Sequence, residues 1–319
     1  MRVAAIDCGT NSLRLLVAEP GPDGRLVDVL RRMEVVRLGQ GVDRTGELAP
    51  DALARTFAVL RDYVADLRSL GAERVRMVAT SATRDAANRH VFVDGVHVVL
   101  GIAPEVLSGE QEAELTFAGA VADLVAPRAG DWWDAPLLVV DIGGGSTEFV
   151  LGGACLAGAA VASVSVDIGC VRLTERLLSP AAGGPYPDPP VGALVADVHR
   201  GLATVSETLD VTRARTLVAV AGTATTVAAI ALDLPAYDAE RLHLSRIGAR
   251  EVDAVAARLV ASTSLQREAI GSMHPGRVDV ITAGSLVLRE IVRATGLDSV
   301  VVSEHDILDG VAASMLDPL

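Results

Sequence analysis

Short apolar runs of strand length alternate along this chain with stretches whose apolar residues recur every three or four positions. Val3–Ile6 and Leu13–Ala18 predict a pair of strands, and Val27–Leu38 a third beyond a turn at Gly21-Pro22-Asp23-Gly24. Leu53, Phe57, Leu60, Val64 and Leu67 share one helical face, so an amphipathic helix is predicted from Pro50 to Leu70, closed by Gly71. Val75–Ala79 reads as a buried strand, Thr80–Asp85 as a polar loop, and a helix is expected to start near Asp85. Val96–Leu100 and Glu105–Leu107 read as short strands, and Gly109 to Leu124 as a helix. Residues 126–136, rich in Pro, Gly and charge, form the linker candidate. Strands then follow up to Asp141, on to Leu151, and at Ala159–Val166. Residues 179–192 read as a flexible surface loop. Helices are expected at Val191–Leu209, Thr223–Leu232, Ala249–Ala261 and Asp279–Thr295. A strand at Val300–Val302 and a helix at Ile307–Leu316 end the series.

Two of the strand–turn–strand segments are versions of one another. Asp7-Cys8-Gly9-Thr10-Asn11-Ser12 lies inside AAIDCGTNSLRLLVAE, and Asp141-Ile142-Gly143-Gly144-Gly145-Ser146-Thr147 inside LVVDIGGGSTEFVLGG. Each leads apolar residues to an Asp, then to a turn of glycines and hydroxyl residues, then to a second apolar run. Free backbone N–H groups and hydroxyls in such a turn suit a phosphate. The copies lie 134 residues apart, which is the scale of a duplicated domain and not of a solenoid repeat. Two α/β domains with a cleft between them are therefore expected, the 319 residues being more than one core usually serves.

Composition narrows the class. Hydrophobic residues make up 50% but aromatics only 3%, so the core is built from Ala, Val and Leu, as in α/β layers with buried strands. The net charge of −13 excludes general nucleic-acid binding, which calls for a basic face. No apolar run reaches the roughly 18 residues that cross a membrane, and the first residues carry no secretory pattern. A cytoplasmic protein is expected. Cys8, Cys155 and Cys170 have no metal-ligand spacing and an odd count, against a disulfide framework. Cys8, beside the first turn, reads as a small buried residue rather than a nucleophile.

Candidate chemistry gathers around the turns. Three glycines in a row at Gly143–Gly145, followed by Ser146 and Thr147, exceed what a plain hairpin needs. Asp141 and Glu148 bracket that turn, and a hard cation such as Mg²⁺ takes one or two carboxylates plus phosphate oxygens. Arg84 ends a loop at a strand's carboxyl end, where open α/β sheets place ligands, and its guanidinium can grip a phosphate in bidentate fashion. Glu110, Glu112 and Glu114 open a helix, where the helix dipole alone accounts for acidic residues. Gly222 and Thr223 begin a helix after an apolar strand, a further place for phosphate.

Taken together, DCGTNS at Asp7, TSATRDAAN at Thr80, LSGEQEAE at Leu107, VVDIGGGSTEF at Val139, GCVRL at Gly169, VAGTATT at Val220 and SEHDILDG at Ser303 resemble the Ppx/GppA family of exopolyphosphatases and guanosine pentaphosphate phosphohydrolases. The pieces stand in the family's order and cover nearly the whole chain. The resemblance implies two actin-like (ribonuclease H-like) domains. The first, residues 1–125 with 304–319, would be closed by the C-terminal helix; the second would be 126–303. It implies Glu112 as the base that orients or deprotonates the attacking water and Arg84 as the holder of the terminal phosphate. It further implies Asp141 and Glu148 as residues of an Mg²⁺ (or Mn²⁺) site. Gly9, Thr10, Asn11, Ser12, Gly143, Gly144, Gly145, Ser146 and Thr147 would form phosphate loops, with Gly222 and Thr223 beside them. Family members often form homodimers.

Three departures stand out. Thr10 replaces the commoner Ser, Gln111 replaces the first Glu of the EEA motif, and SEHDILDG replaces the usual SxxGLREG, with Leu308 at the Arg position. A short form is expected, without the helical regulatory or chain-binding domains of longer members. The expected activity is metal-assisted, in-line attack of water on the terminal phosphorus of inorganic polyphosphate. The alternatives are hydrolysis of pppGpp to ppGpp, a polyphosphate- or nucleotide-binding sensor with little turnover, and an actin-like kinase.

Overall fold

A computed structural model describes residues 1–22, 25–124, 133–153, 162–178, 185–186 and 188–316. The expected turn at Gly21–Gly24, linker at 126–136 and loop at 179–192 lie wholly or partly outside these residues. The chain divides into two units, the first comprising Met1–Gly119 with Ile307–Leu319 and the second Ala120–Asp306. No helix among the described residues is long and apolar enough to cross a membrane.

The first unit is built on β1 (Val3–Cys8), β2 (Ser12–Pro20), β3 (Leu26–Val35), β4 (Arg74–Ala79) and β5 (Glu105–Val106), in sheet order β3-β2-β1-β4-β5. β3, β2 and β1 pair antiparallel in turn, while β4 pairs parallel with β1 and β5 parallel with β4. Its helices are α1 (Val42–Thr45), α2 (Pro50–Leu70), α3 (Ser81–Asp85), α4 (Arg89–Leu100) and α5 (Gly109–Val121). The second unit uses β6 (Leu137–Ile142), β7 (Thr147–Gly152), β8 (Ala162–Val166), β9 (Thr216–Val220), β10 (Ser245–Gly248) and β11 (Ser299–Val302), in order β10-β11-β9-β6-β7-β8. β6, β7 and β8 are antiparallel and β9 and β11 parallel, so the same topology recurs with one added antiparallel strand, β10. Its helices are α6 (Cys170–Leu173), α7 (Asp188–Thr208), α8 (Ala221–Ala231), α9 (Ala239–Leu242), α10 (Ala249–Ala261), α11 (Ser264–Glu268) and α12 (Ile281–Thr295). The last helix, α13 (Ile307–Ser314), returns to the first unit. The duplicated segment seen in the sequence is thus the opening hairpin of each sheet.

Three expectations are corrected. Val96–Leu100 is not a strand but the last part of α4. Phe92 and Val96, four residues apart, are buried, while Val98 is exposed, so the periodicity is helical. The β-branched run VHVVL mimics a strand, but packing on α2 overrides it, with Phe92 stacked on Phe57 at 6.3 Å between centroids. Thr80–Asp85 is not an irregular loop, because Thr83 N–H and Arg84 N–H both donate to Thr80 O and wind Ser81–Asp85 into a helical turn. α7 begins at Asp188, earlier than expected, because Pro residues are tolerated in a first helical turn.

The atypical motif at Ser303 becomes intelligible here. Leu308, at the family's Arg position, is buried with Ile307, Val311 and Ala312 against Val3, Ala5 and Leu16. Asp309 forms an ion pair with Arg31 of β3 at 2.5 Å, which fastens α13 to the sheet. Gly310 faces the carbonyl of Leu115 in α5 so closely that a Cβ would collide with it. Gly310→Ala should therefore lower the unfolding free energy by about 2 kcal/mol, read as a lower denaturant midpoint.

Candidate active site

In the first unit, β1, β4 and β5 are parallel, so their carboxyl ends share one edge of the sheet. The turn Gly9–Ser12 follows β1, α3 follows β4, and α5 follows β5. That topology brings Asn11, Arg84 and Glu112 to one edge from positions scattered over a hundred residues. The turn is closed by Gly9 N–H donating to Ser12 O at 3.0 Å. Its carbonyls are occupied: Thr10 O accepts from Gly39 N–H, and Asn11 O from the N–H groups of Val36 and Arg37. The N–H groups of Thr10 and Asn11 donate to no acceptor among the described residues. The Thr10 hydroxyl is tied to the Ser81 hydroxyl at 2.9 Å, linking the turn to α3.

Glu112 separates itself from its neighbours by burial. Glu110 and Glu114 are exposed, whereas Glu112 is only 7% exposed. Arg84 Nη1 donates to Glu112 Oε2 at 3.0 Å and to Leu107 O at 3.2 Å, so the two residues implied as catalytic are in contact. Gln111 has a different task. Its Oε1 accepts from Ser108 N–H at 3.0 Å while Ser108 Oγ accepts from Gln111 N–H at 3.2 Å, a capping box that Gln serves as well as Glu. The replacement in the EEA motif therefore leaves Glu112 untouched. Burial, followed by the Asp7 carboxylate, pushes the Cys8 thiol well above its ordinary range, which suits an inert core residue.

The second unit repeats the arrangement on β6, β9 and β11. Gly143 N–H donates to Ser146 O at 3.1 Å, the same closure as in the first turn. The segment Gly169–Arg172 takes up the turn's carbonyls: Cys170 N–H donates to Gly143 O, Val171 and Arg172 N–H to Gly144 O, and Gly169 N–H to Gly145 O. Gly169 must lack a Cβ, which would strike the backbone of Gly144 and Gly145. The N–H groups of Gly144 and Gly145 again donate to no acceptor among the described residues. Both turns have engaged carbonyls and outward N–H groups, the polarity of an anion-binding nest.

The hairpins differ at their closing pairs. In the first, Asp7 lies opposite Arg14 and the two form an ion pair at 2.7 Å. In the second, Asp141 lies opposite Glu148, so two carboxylates face each other across the ladder at 6% and 1% exposure. Glu148 Oε1 also accepts the Ser165 hydroxyl at 2.7 Å. This paired-oxygen donor set fits a hard divalent cation.

Two residues implied as phosphate contacts have buried side chains. The Thr147 hydroxyl donates to Ile168 O at 3.1 Å in a fully buried position, so it holds the hairpin to the chain before α6. Thr223 is likewise buried, its side chain packed beside Gly284. Above Gly222 lies the guanidinium of Arg277, which donates to Gly222 O and, at 2.9 Å, to Thr226 Oγ1. Arg277 has no local sequence signal and was not anticipated. All 28 basic side chains of the protein are arginine, so every fixed side-chain cation available to a phosphate is a guanidinium. A second unanticipated cluster joins Asp123, His243 and His305.

A family model described as the Ppx/GppA phosphatase family matches residues 16–319. The protein named Exopolyphosphatase 2 of Mycobacterium tuberculosis is 49% identical over 330 residues, covering 98% of this chain and 98% of that relative. The crystal structure of the Aquifex aeolicus member of the Ppx/GppA family is similar with a TM-score of 0.80 at 30% identity, covering 99% of this chain and 97% of that one. The crystal structure of an exopolyphosphatase from Cytophaga hutchinsonii gives a TM-score of 0.88 at 25% identity, covering 99% and 98%. The two-unit actin-like fold expected from the sequence is the fold of these neighbours.

Proposed function

We infer the chemistry from one premise and one observation: the chain belongs to the Ppx/GppA phosphatase family, and it buries Glu112 against Arg84 beside a turn with outward N–H groups. On this reading the protein is an exopolyphosphatase. It removes the terminal phosphate of inorganic polyphosphate by in-line attack of water, in the cytoplasm. The observation that carries the reading is the Glu112–Arg84 contact at 3.0 Å, a carboxylate able to align water held next to a guanidinium able to hold the phosphate under attack.

The residues act as follows. Arg84 exchanges its bond to Glu112 for the terminal phosphate, which frees the Glu112 carboxylate to orient water and accept its proton. The N–H groups of Thr10 and Asn11 hold phosphate oxygens and take up charge as the bond to the leaving chain lengthens, and in the second unit those of Gly144 and Gly145 offer phosphate a like nest. Asp141 and Glu148 hold the divalent ion, which when bound shields the charge of the phosphates. The leaving group is the shortened polyphosphate, and no covalent intermediate is required.

The relative at 49% identity is named an exopolyphosphatase, which favours polyphosphate over pppGpp. The test is Mg²⁺-dependent phosphate release from short polyphosphate, long polyphosphate, pppGpp and ATP, measured side by side. Polyphosphate is expected to have the highest kcat/KM. A higher value for pppGpp would transfer the protein to the alternative activity, and tight binding without turnover of any substrate would make it a sensor.

A further inference from the structure

Asp123, His243 and His305 come from three distant parts of the chain, yet their donor atoms all lie within 4.8 Å of one another. His243 Nε2 lies 3.1 Å and His305 Nδ1 2.7 Å from the same carboxylate oxygen, Asp123 Oδ2. The two imidazole rings are 4.4 Å apart between centroids. None of the three side chains is fully exposed, at 17%, 22% and 34% for Asp123, His243 and His305. All belong to the second unit. None is used by the proposed phosphatase chemistry.

The backbone holds this cluster in place. His305 follows β11, and Ser303 fixes the connecting bend, its Oγ accepting from His305 N–H and donating to His305 O, both at 3.0 Å. His243 is set by the neighbouring strand, β10, because Leu244 N–H donates to Val302 O at 2.8 Å. Leu244 has φ +58, a left-handed conformation that costs a side-chain-bearing residue roughly 1–2 kcal/mol. Asp123 lies in the turn that follows α5. The two imidazole bonds hold its carboxyl well below the usual carboxylate range, so it stands ionised.

We propose that Asp123, His243 and His305 form a binding site for a divalent transition ion, with Zn²⁺ as its expected occupant. Two imidazole nitrogens and one carboxylate oxygen select borderline metals over Mg²⁺, and three protein ligands leave a fourth position for water. In a tetrahedral site with bonds of about 2.0–2.1 Å the donor atoms stand about 3.3 Å apart, so the His243–Asp123 and His305–Asp123 spacings open by about 0.2 and 0.6 Å. Two imidazole protons oppose capture, since Asp123 accepts from both rings; His305 passes its Nδ1 proton to Nε2 or to solvent when the ion binds. Glu304 N–H points at His243 Nδ1 at 3.3 Å, which places the ring proton on Nε2, where it is given to Asp123. Binding at Nε2 moves that proton to Nδ1 and breaks the Glu304 contact, a bond long enough to be weak. The ion would tie the turn after α5, near where the chain passes into the second unit, to the bend just before it leaves.

The probe is Zn²⁺ itself, titrated calorimetrically into the untagged, chelator-stripped full chain with excess Mg²⁺ present, with Co²⁺ absorption as a second readout. One equivalent is expected to bind with a Kd of about 1 μM or tighter, to raise the Tm, and to give Co²⁺ the intense visible bands of a tetrahedral site. His243→Ala should abolish binding. His305→Asn, which can still hydrogen-bond Asp123 and so spares the fold, should weaken it at least about tenfold. Circular dichroism checks that each variant is folded. No stoichiometric binding by the folded wild type, or binding that survives both substitutions, overturns the proposal. The outcome is independent of whether polyphosphate is hydrolysed, because the readout is the metal and not turnover.

Discussion

Glu112→Gln is expected to lower kcat for phosphate release by at least about a hundredfold, close to 2.7 kcal/mol in the barrier, while leaving the fold intact. Gln matches Glu in size, and its carbonyl oxygen can still accept from Arg84, which also keeps its bond to Leu107 O. The helix start does not depend on Glu112, because Ser108 and Gln111 cap it. What disappears is the group able to take a proton from water. Steady-state phosphate release from short polyphosphate at saturating Mg²⁺, with a thermal melt as the folding control, checks this. Full activity in a folded variant would remove Glu112 from the mechanism.

Asp141→Asn should raise the Mg²⁺ concentration for half-maximal rate by about tenfold or more, because it removes one of two charged ligands to a cation that binds through few protein groups. The hairpin itself should survive, since Asn fits the same strand position. Glu148→Gln should act in the same direction. The first hairpin supplies the contrast: Asp7, at the position of Asp141, faces Arg14 and not a second carboxylate. Asp7→Asn should therefore leave the Mg²⁺ dependence unchanged. Rate titrations with Mg²⁺ over the three variants make the comparison. An unaltered half-maximal concentration in Asp141→Asn would take that residue out of the metal site.

Much of this organisation was legible because it is written locally. The hairpins at Asp7 and Asp141 could be read because a turn of glycines and hydroxyl residues between apolar runs has one simple conformation. Their inequality could be read only in part. The bracketing of the second turn by Asp141 and Glu148 was visible, but the opposition of Asp7 to Arg14 needed the strand register. Glu112 could not be told from Glu110 and Glu114 by helix position alone, and burial makes the distinction. The short helix at Ser81–Asp85 was hidden by its polarity, and the end of α4 by β-branched residues that pack as a helical stripe. Arg277 and the Asp123–His243–His305 cluster left no trace in the sequence pattern. His243 and Asp123 are 120 positions apart, and such a meeting is decided by the order of strands and not by spacing.

In the proposed reaction water attacks the terminal phosphorus of a polyphosphate chain. Its most direct test is hydrolysis of short polyphosphate in ¹⁸O-labelled water under single-turnover conditions, with mass analysis of both products. One solvent oxygen is expected in each released phosphate and none in the shortened chain. Label in the shortened chain, or consumption of the chain without release of labelled phosphate, would contradict it.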